Sequence, residues 1–509
     1  MGNVLYKNGF YDKENDGIRN FNWMSPDAKI VIDNPSENEW LYSEVGYPGA
    51  ILSTISFSTN NGKFRHTIKL RPGWHYIGIP ISLLSNYPSI DISISVDYKH
   101  QAPHDTRNLG IMVSKWKTGT LDNLDLKTKN SILLYNDLLR NTVVNSYPIE
   151  VTLESTKKCN LSCVMCSYNH WDTTNNTADF DFDMSYSEYV KPIIASADLI
   201  ALQLWGEPLM SKSLFPLLDL IKSVNASEQD VRFVTNGTLL SDRNISKLLD
   251  SSLTHIDIST DAATSITYRK IRDRDFSKLT QNIKNLTTQK HSHHKKLNIC
   301  LNMCAMRENI NEVVDFVKLA HNLGADKCHI KPLFNRPDED MRTVNRNNWA
   351  FYYPQQMLDY YPLKTREMLN SAVSTAKQLG IELIYNARTS LSNISGEKDM
   401  PYPLPVDEFK HLLSKEEVVT TSSHKSNEIW NDALYCDLPW TTAFIETNGD
   451  VHICCLLSEV TPPIGNIKNN SFMEIWNAPV LQEIRKCCAN NTVHPLCKQA
   501  SCSYVKNRQ

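Results

Sequence analysis

The chain has no cysteine before Cys159, no apolar run long enough to cross a bilayer and no excess of basic residues. Each absence excludes something. A disulfide-stapled secreted scaffold would not leave the first third of its chain without a thiol. The apolar stretch near residues 192–205 is interrupted by Asp198 and falls short of the ~20 residues a membrane helix needs. The opening MGNVLYKNGF lacks the basic-then-apolar order of a signal peptide, and Tyr6 breaks the N-myristoylation pattern. A net charge of -3 argues against a general nucleic-acid binder. No repeat or low-complexity tract interrupts the sequence. A cytoplasmic protein without a membrane span is expected, whose thiols serve as metal ligands or reactive groups.

What is there amounts to 509 residues, 41% hydrophobic and 21% charged, enough for about three globular domains. Residues 1–145 read as all-β. AILSTISFST, KFRHTIKL, WHYIGIPI and IDISISVDY alternate or are rich in β-formers, with a turn signal at Arg71-Pro72-Gly73. Short strands at this spacing predict an N-terminal β-sandwich, an accessory module loosely resembling those of bacterial glycan-assembly proteins. After Pro148 the pattern changes. IEVTLEST, ADLIALQLW, VRFVTNG, THIDIST, KLNICLNMC and DKCHIKPL read as strands separated by helical segments. Such alternation predicts an α/β fold with a parallel, partly closed (β/α)6 barrel over residues 146–395, its site at the C-terminal strand ends. Residues 335–360 and 390–431 are polar and broken by proline, so loops are expected there, with residues 396–434 as a linker or insertion. Residues 435–509 form a compact end piece that begins with a hairpin, AFIETNGDVHICC, turning at Asn448-Gly449.

Thirteen cysteines fall into groups. Cys159, Cys163 and Cys166 make C-x3-C-x2-C on the loop after the first barrel strand. Three thiolates so close can hold three irons of a [4Fe–4S] cluster and leave the fourth open. A zinc ion would need a further ligand, for which His170 is the local candidate. A zinc-stabilised, non-catalytic binding protein is therefore the rival reading.

This triad, placed after a first barrel strand, resembles the signature of the radical S-adenosylmethionine (SAM) enzymes. The resemblance implies that the open iron binds SAM. One electron, from a donor such as flavodoxin or ferredoxin, then cleaves the C5′–S bond to give a 5′-deoxyadenosyl radical that abstracts a substrate hydrogen. Further segments match in order. Trp205–Pro208 resembles the family's G-G-E-P segment, with Trp205 in place of the first glycine, so Gly206 and Glu207 are carried over as contacts to the SAM amino group. Asn236 faces the site from the third strand end. Ser259 and Asp261 correspond to ribose or methionine contacts, Arg272 to a SAM carboxylate partner and Asn302 to a ribose contact. Met165 stands where an aromatic residue often packs on adenine.

Cys436, Cys454, Cys497 and Cys502 resemble the ligand set of the SPASM auxiliary-cluster domain or its one-cluster twitch form. That implies one auxiliary [4Fe–4S] cluster and leaves Cys455, Cys487 and Cys488 over. Relatives of this architecture oxidise, epimerise or crosslink. Cys304 and Cys328, near strand ends, are the candidate hydrogen-atom donors for an epimerase. The expected reaction is epimerisation or dehydrogenation of a sugar, glycoconjugate or other small molecule; the alternative is a maturase acting on a peptide.

Overall fold

A computed structural model describes residues 2–50, 52–59, 64–84, 88–100, 105–166, 181–224, 229–333, 343–346, 349–385, 398–414, 436–455, 457–458 and 461–499. Nine strands come first: β1 (Asn3–Asn15), β2 (Asn20–Asp33), β3 (Trp40–Tyr47), β4 (Ser53–Thr59), β5 (Arg65–Leu70), β6 (Gly73–Pro80), β7 (Ser89–Val96), β8 (Met112–Val113) and β9 (Lys117–Gly119). Alternation drives them. In β7, Ile90, Ile92, Ile94 and Val96 are buried while Ser89 and Asp91 are exposed, the period-two pattern of a sheet wet on one face.

The expected sandwich of two separate sheets is corrected here to one curled antiparallel sheet. Its hydrogen-bonded path runs β5-β4-β7-β2-β8-β3-β6. The physical reason is β8, whose two residues pair with Asn22 and Trp23 of β2 and with Val45 and Gly46 of β3, joining what would otherwise be two layers. Helix α1 (Leu126–Asp137) is laced onto β6, where the Ser131 hydroxyl accepts from Tyr76 N–H and donates to its carbonyl.

The second sheet holds the strand–helix alternation. β10 (Glu150–Leu153), β11 (Leu199–Ala201), β12 (Asp230–Thr235), β13 (His255–Ser259), β14 (Asn298–Ala305) and β15 (Lys327–Pro332) lie side by side in chain order, all parallel. The crossovers carry α2 (Ser187–Ser196), α3 (Leu214–Val224), α4 (Asp242–Asp250), α5 (Ser265–Arg272), α6 (Phe276–Ser292) and α7 (Val313–Asn322). One strand face is apolar and packs on these helices: Val231, Phe233, Ile256, Ile258, Leu301 and Met303 are almost wholly buried. The other face is polar and lines the barrel interior.

The loops expected at 335–360 contain a hairpin, β16 (Thr343–Arg346) with β17 (Trp349–Tyr352), and a single turn, α8 (Tyr353–Gln356). Helix α9 (Pro362–Leu379), closed by left-handed Gly380, leads to β18 (Glu382–Ile384), a seventh parallel strand beside β15. The linker region carries α10 (Val406–Ser414).

The end piece is joined to the barrel. After α11 (Leu438–Thr441), β19 (Thr442–Ile445) pairs in parallel with β10, and β20 (Asp450–His452) and β21 (Gly465–Asn466) follow in antiparallel order. The hairpin expected at Asn448-Gly449 therefore extends the barrel sheet, with Gly449 at φ +86°. Helices α12 (Phe472–Trp476) and α13 (Pro479–Ala489) then seat on the segment between the first two regions. Asn477 exchanges two hydrogen bonds with the Val144 backbone, both 2.9 Å, and buried Arg485 donates to the Thr142 and Pro439 carbonyls.

One cation joins all three regions. Arg71, between β5 and β6, binds Glu150 at 2.7 Å and Asp437 at 3.1 Å. Removing one partner of a buried pair strands the other charge, at roughly 3–5 kcal/mol. Glu150 is partly exposed, so its share is smaller. Arg71→Met is expected to lower the first thermal transition in calorimetry. Arg71→Lys should restore only part of the loss, because a single ammonium cannot fork between two carboxylates.

Candidate active site at the strand ends

The cysteine loop leaves β10 and is pinned at four places. Gly206, after β11, packs so tightly that a Cβ there would stand 2.3 Å from the Thr156 carbonyl oxygen and 2.7 Å from that of Lys158; only glycine fits. Glu207 N–H donates to the Lys158 carbonyl at 2.7 Å. Asn236 Nδ2 donates to Asn160 Oδ1 at 2.8 Å. Val164 N–H donates to the Ile271 carbonyl at the end of α5, where Arg346 from β16 also donates, as it does to Ser162.

Two buried carboxylates hold the surrounding loops. Glu207 accepts from Thr235 Oγ1 (2.6 Å), Asn236 N–H (2.7 Å) and Leu209 N–H (3.2 Å). Burial raises its carboxyl and these bonds oppose that. Asp261, in the left-handed region at φ +57°, accepts from Arg272 Nε (2.7 Å) and Nη2 (2.6 Å) on one oxygen and from Cys304 N–H (2.7 Å) on the other. Both were carried over as SAM contacts. In the structure their carboxylate oxygens brace strand ends, and Arg272 is held by Asp261.

Cys163 is buried, Cys166 half-buried and Cys159 exposed. Burial pushes the Cys163 thiol up to about 11, and the Arg272 cation beside it pulls it back. The same thiol lies within electrostatic reach of Cys159, Cys166 and Asp261. The donor set fits an iron–sulfur cluster: three thiols on one immobilised loop, with a buried guanidinium to balance negative charge. Among the described residues no three His, Cys, Asp or Glu side chains converge on a single ion. A four-iron cube gives each thiolate its own iron and so needs a wider triangle than one ion does. His170 lies outside the described residues.

Ser259 pairs in register with Asn302, and both face the interior, as Cys300 and Cys304 do on β14. Met165 and Cys304 pack against an apolar cluster of Val164, Ile271, Met306, Leu333, Phe351 and Tyr353. Cys328 is a correction. It pairs with Leu301, on the helix-facing side, and is fully buried in that core with its thiol 3.8 Å from the Glu382 carbonyl. The interior positions of β15 are Lys327, His329 and Lys331, opposite Cys300, Asn302 and Cys304. Sequence reasoning passed over them, although HIK in a strand alternates in the required way. Burial and the two lysines lower the His329 ring to about 4. The aromatic hairpin was also missed; alternation in WAFYY was its signal.

In the end piece, half-buried Cys436 lies within interaction distance of Cys488 on α13. Cys488, left over in the sequence reading, is therefore Cys436's neighbour. Cys454 and Cys497 are half-buried and Cys455 is exposed. Cys502 lies outside the described residues.

Residues 153–320 match the profile of the Radical SAM superfamily, and residues 436–503 match SPASM, an iron-sulfur cluster-binding domain. This chain therefore carries a radical SAM domain and, C-terminal to it, a SPASM domain. It is similar to the PqqA peptide cyclase of Bradyrhizobium diazoefficiens, 25% identical over 189 residues, 36% of this chain and 46% of that protein. It is also similar to a "probable GTP 3′,8-cyclase" of Methanothermobacter marburgensis, 28% identical over 131 residues, 25% of this chain and 40% of that protein. It spans less than half the length of each. Among solved structures, SuiB of Streptococcus suis bound to S-adenosylmethionine aligns with a TM-score of 0.47 at 14% identity, over 72% of this chain and 73% of that one. No helix among the described residues is long and apolar enough to cross a membrane.

Two expectations follow. Arg272→Gln should leave Cys163 without its cation and free Asp261 from its anchor. Outer partners of metal ligands are typically worth 10–100-fold in retention, so chelator challenge of the reconstituted protein should strip iron that much more readily. The second concerns Glu154, wholly buried at the end of β10, 3.3 Å from Thr447 N–H and 3.7 Å from Lys157. Burial pushes its carboxyl up to about 7, with Lys157 opposing and Glu446 adding to the rise. Below the ordinary 4.5 the group is protonated in both states. Between there and pH 7 the unfolded chain ionises first, so stability is lost, on the order of 3 kcal/mol. Glu154→Gln should flatten that part of the melting-temperature-against-pH curve.

Proposed function

We propose that this protein cleaves SAM reductively and uses the resulting radical to modify a peptide. The observation that carries the SAM-cleaving part is the triad Cys159–Cys163–Cys166, fixed at the strand ends beside Arg272 within the segment matching the Radical SAM profile. In this reading the three thiolates hold the SAM-binding cluster, which when bound supplies the electron that breaks the C5′–S bond. Gly206, Asn236, Ser259 and Asn302 border the SAM site, Met165 provides its apolar wall, and Glu207, Asp261 and Arg272 position that border. The hairpin with Trp349 and Phe351 shields the interior from water, which a carbon radical requires.

Cys436, Cys454, Cys497 and Cys502 supply the four thiolates of the auxiliary site, and Cys488 flanks Cys436. The similarity to PqqA peptide cyclases supports a peptide substrate. A second reading, epimerisation or dehydrogenation of a sugar or other small molecule, draws on the similarity to probable GTP 3′,8-cyclases and on the polar interior of β14 and β15.

Anaerobically reconstituted protein should contain about eight irons per chain if two [4Fe–4S] clusters form. It should release 5′-deoxyadenosine from SAM under a strong reductant, and Cys159→Ala should abolish that release. Two zincs and no iron, or undiminished cleavage by the variant, would overturn the assignment. Turnover in heavy water separates the outcomes. A thiol-dependent epimerase places a solvent deuterium in the product, whereas dehydrogenation or crosslinking yields a product two hydrogens lighter.

A further inference from the structure

We propose that the curled N-terminal sheet binds an acidic saccharide in a cleft of about 530 Å³, within the roughly 300–1,000 Å³ of small-molecule sites. The cleft lies on a different sheet from the cysteine loop, and the inference stands apart from the proposed reaction.

Strand register builds the site. On β3 the core takes Leu41, Ser43 and Val45, so Tyr42 and Glu44 project from the other face. Tyr42 sits opposite Lys117 of β9, and Glu44 opposite Tyr76 of β6. Across the cleft, Lys13 pairs with Asn22 between β1 and β2, and Asn20 adjoins them. Tyr6 completes the lining, its ring fixed because its phenol oxygen accepts the Trp116 N–H at 2.7 Å.

The chemistry of these groups selects the ligand. Three tyrosines, Tyr6, Tyr42 and Tyr76, line the cleft, and no Leu, Ile, Val, Met or Phe does. It therefore offers no socket for an aliphatic side chain but several flat surfaces for the C–H face of a sugar ring. Asn20, Asn22 and Ser114 supply amide and hydroxyl groups for ring hydroxyls. The charge is one-sided. Glu44 is engaged by Arg19 at 2.8 Å and by Ser114 at 3.2 Å. Lys13, Lys115 and Lys117 have no acidic partner among the described residues. A hydroxylated ring carrying a carboxylate satisfies the tyrosines, the amides and the ammonium groups together. An acidic peptide would satisfy the lysines alone.

The test is titration of the full-length protein with an oligogalacturonide, a neutral oligosaccharide of equal length and a poly-glutamate peptide. The oligogalacturonide should bind most tightly and weaken as salt rises. Tyr42→Ala should reduce its affinity by about tenfold, the scale of one stacked ring. Lys117→Glu, an exposed change that should leave folding intact, should reduce it at least as much while leaving 5′-deoxyadenosine release unchanged. No binding of either saccharide would overturn the proposal. So would poly-glutamate binding as tightly as the oligogalacturonide and indifferent to Tyr42→Ala, which would mark a merely cationic surface.

Discussion

The buried ion pair between Asp261 and Arg272 organises the cysteine site. Asp261 lies just beyond β13, Arg272 at the end of α5, and the second Asp261 oxygen takes the N–H of Cys304 on β14. One carboxylate thus ties three elements, and its own carbonyl accepts from Asn309, a fourth. The backbone turns into the left-handed region to present both oxygens inward, a conformation that Asp tolerates better than most residues. Desolvating two charges is expensive unless their remaining hydrogen-bonding capacity is used. Here it is used, and the guanidinium is left beside Cys163, where negative charge is to be held. Exchanging the pair for apolar residues could keep the packing but not that field.

The end piece shows a different constraint. A parallel sheet with β10 at its edge would expose a row of unpaired backbone groups beside the site. β19 covers that edge and continues β10's direction, so the auxiliary region is in register with the strand that delivers the cysteine loop. The joint is polar: Lys157 on the loop binds Glu446 at 2.7 Å, His452 approaches the same carboxylate at 3.3 Å, and Glu154 is sealed beneath. A shift of the hairpin would therefore be felt at the residues that lead into Cys159.

Much of this was readable from residues in order. The strand–helix alternation, the triad and the strand-end matches at Gly206, Asn236 and Asp261 depend on local pattern, and local pattern survives folding. What could not be read is what depends on partners far along the chain. Glu207 and Asp261 have the right identity and place, yet whether a carboxylate faces a ligand or a neighbouring loop is decided by Thr235, Arg272 and the backbone of β14. The single curled sheet hinges on β8, too short to carry a sequence signal. Cys328 was misjudged because its inward or outward face follows from register with Leu301, and a one-residue shift reverses it. Cys488 meets Cys436 only because α13 folds back onto α11, the turn that follows Cys436.

The same face rule narrows the chemistry left for Cys304. Its side chain points toward the interior beside the cysteine loop, and its N–H is fixed by Asp261. Burial, with Asp261 adding to the effect, pushes its thiol up. A hydrogen-atom donor must carry its hydrogen, so a site that disfavours thiolate keeps the S–H bond ready for a carbon radical. Transfer would leave a sulfur radical that needs one electron and one proton before the next turnover. A dehydrogenation has the opposite need, an acceptor for the electron the substrate radical gives up and for a proton. His329, neutral and opposite Asn302, is a weak base there, because burial and the charges of Lys331 and Lys327 disfavour its imidazolium; it can relay such a proton but not hold it. Thiol and imidazole face the same interior from neighbouring strands, so the choice between the two reactions turns on which of them the substrate's radical carbon meets.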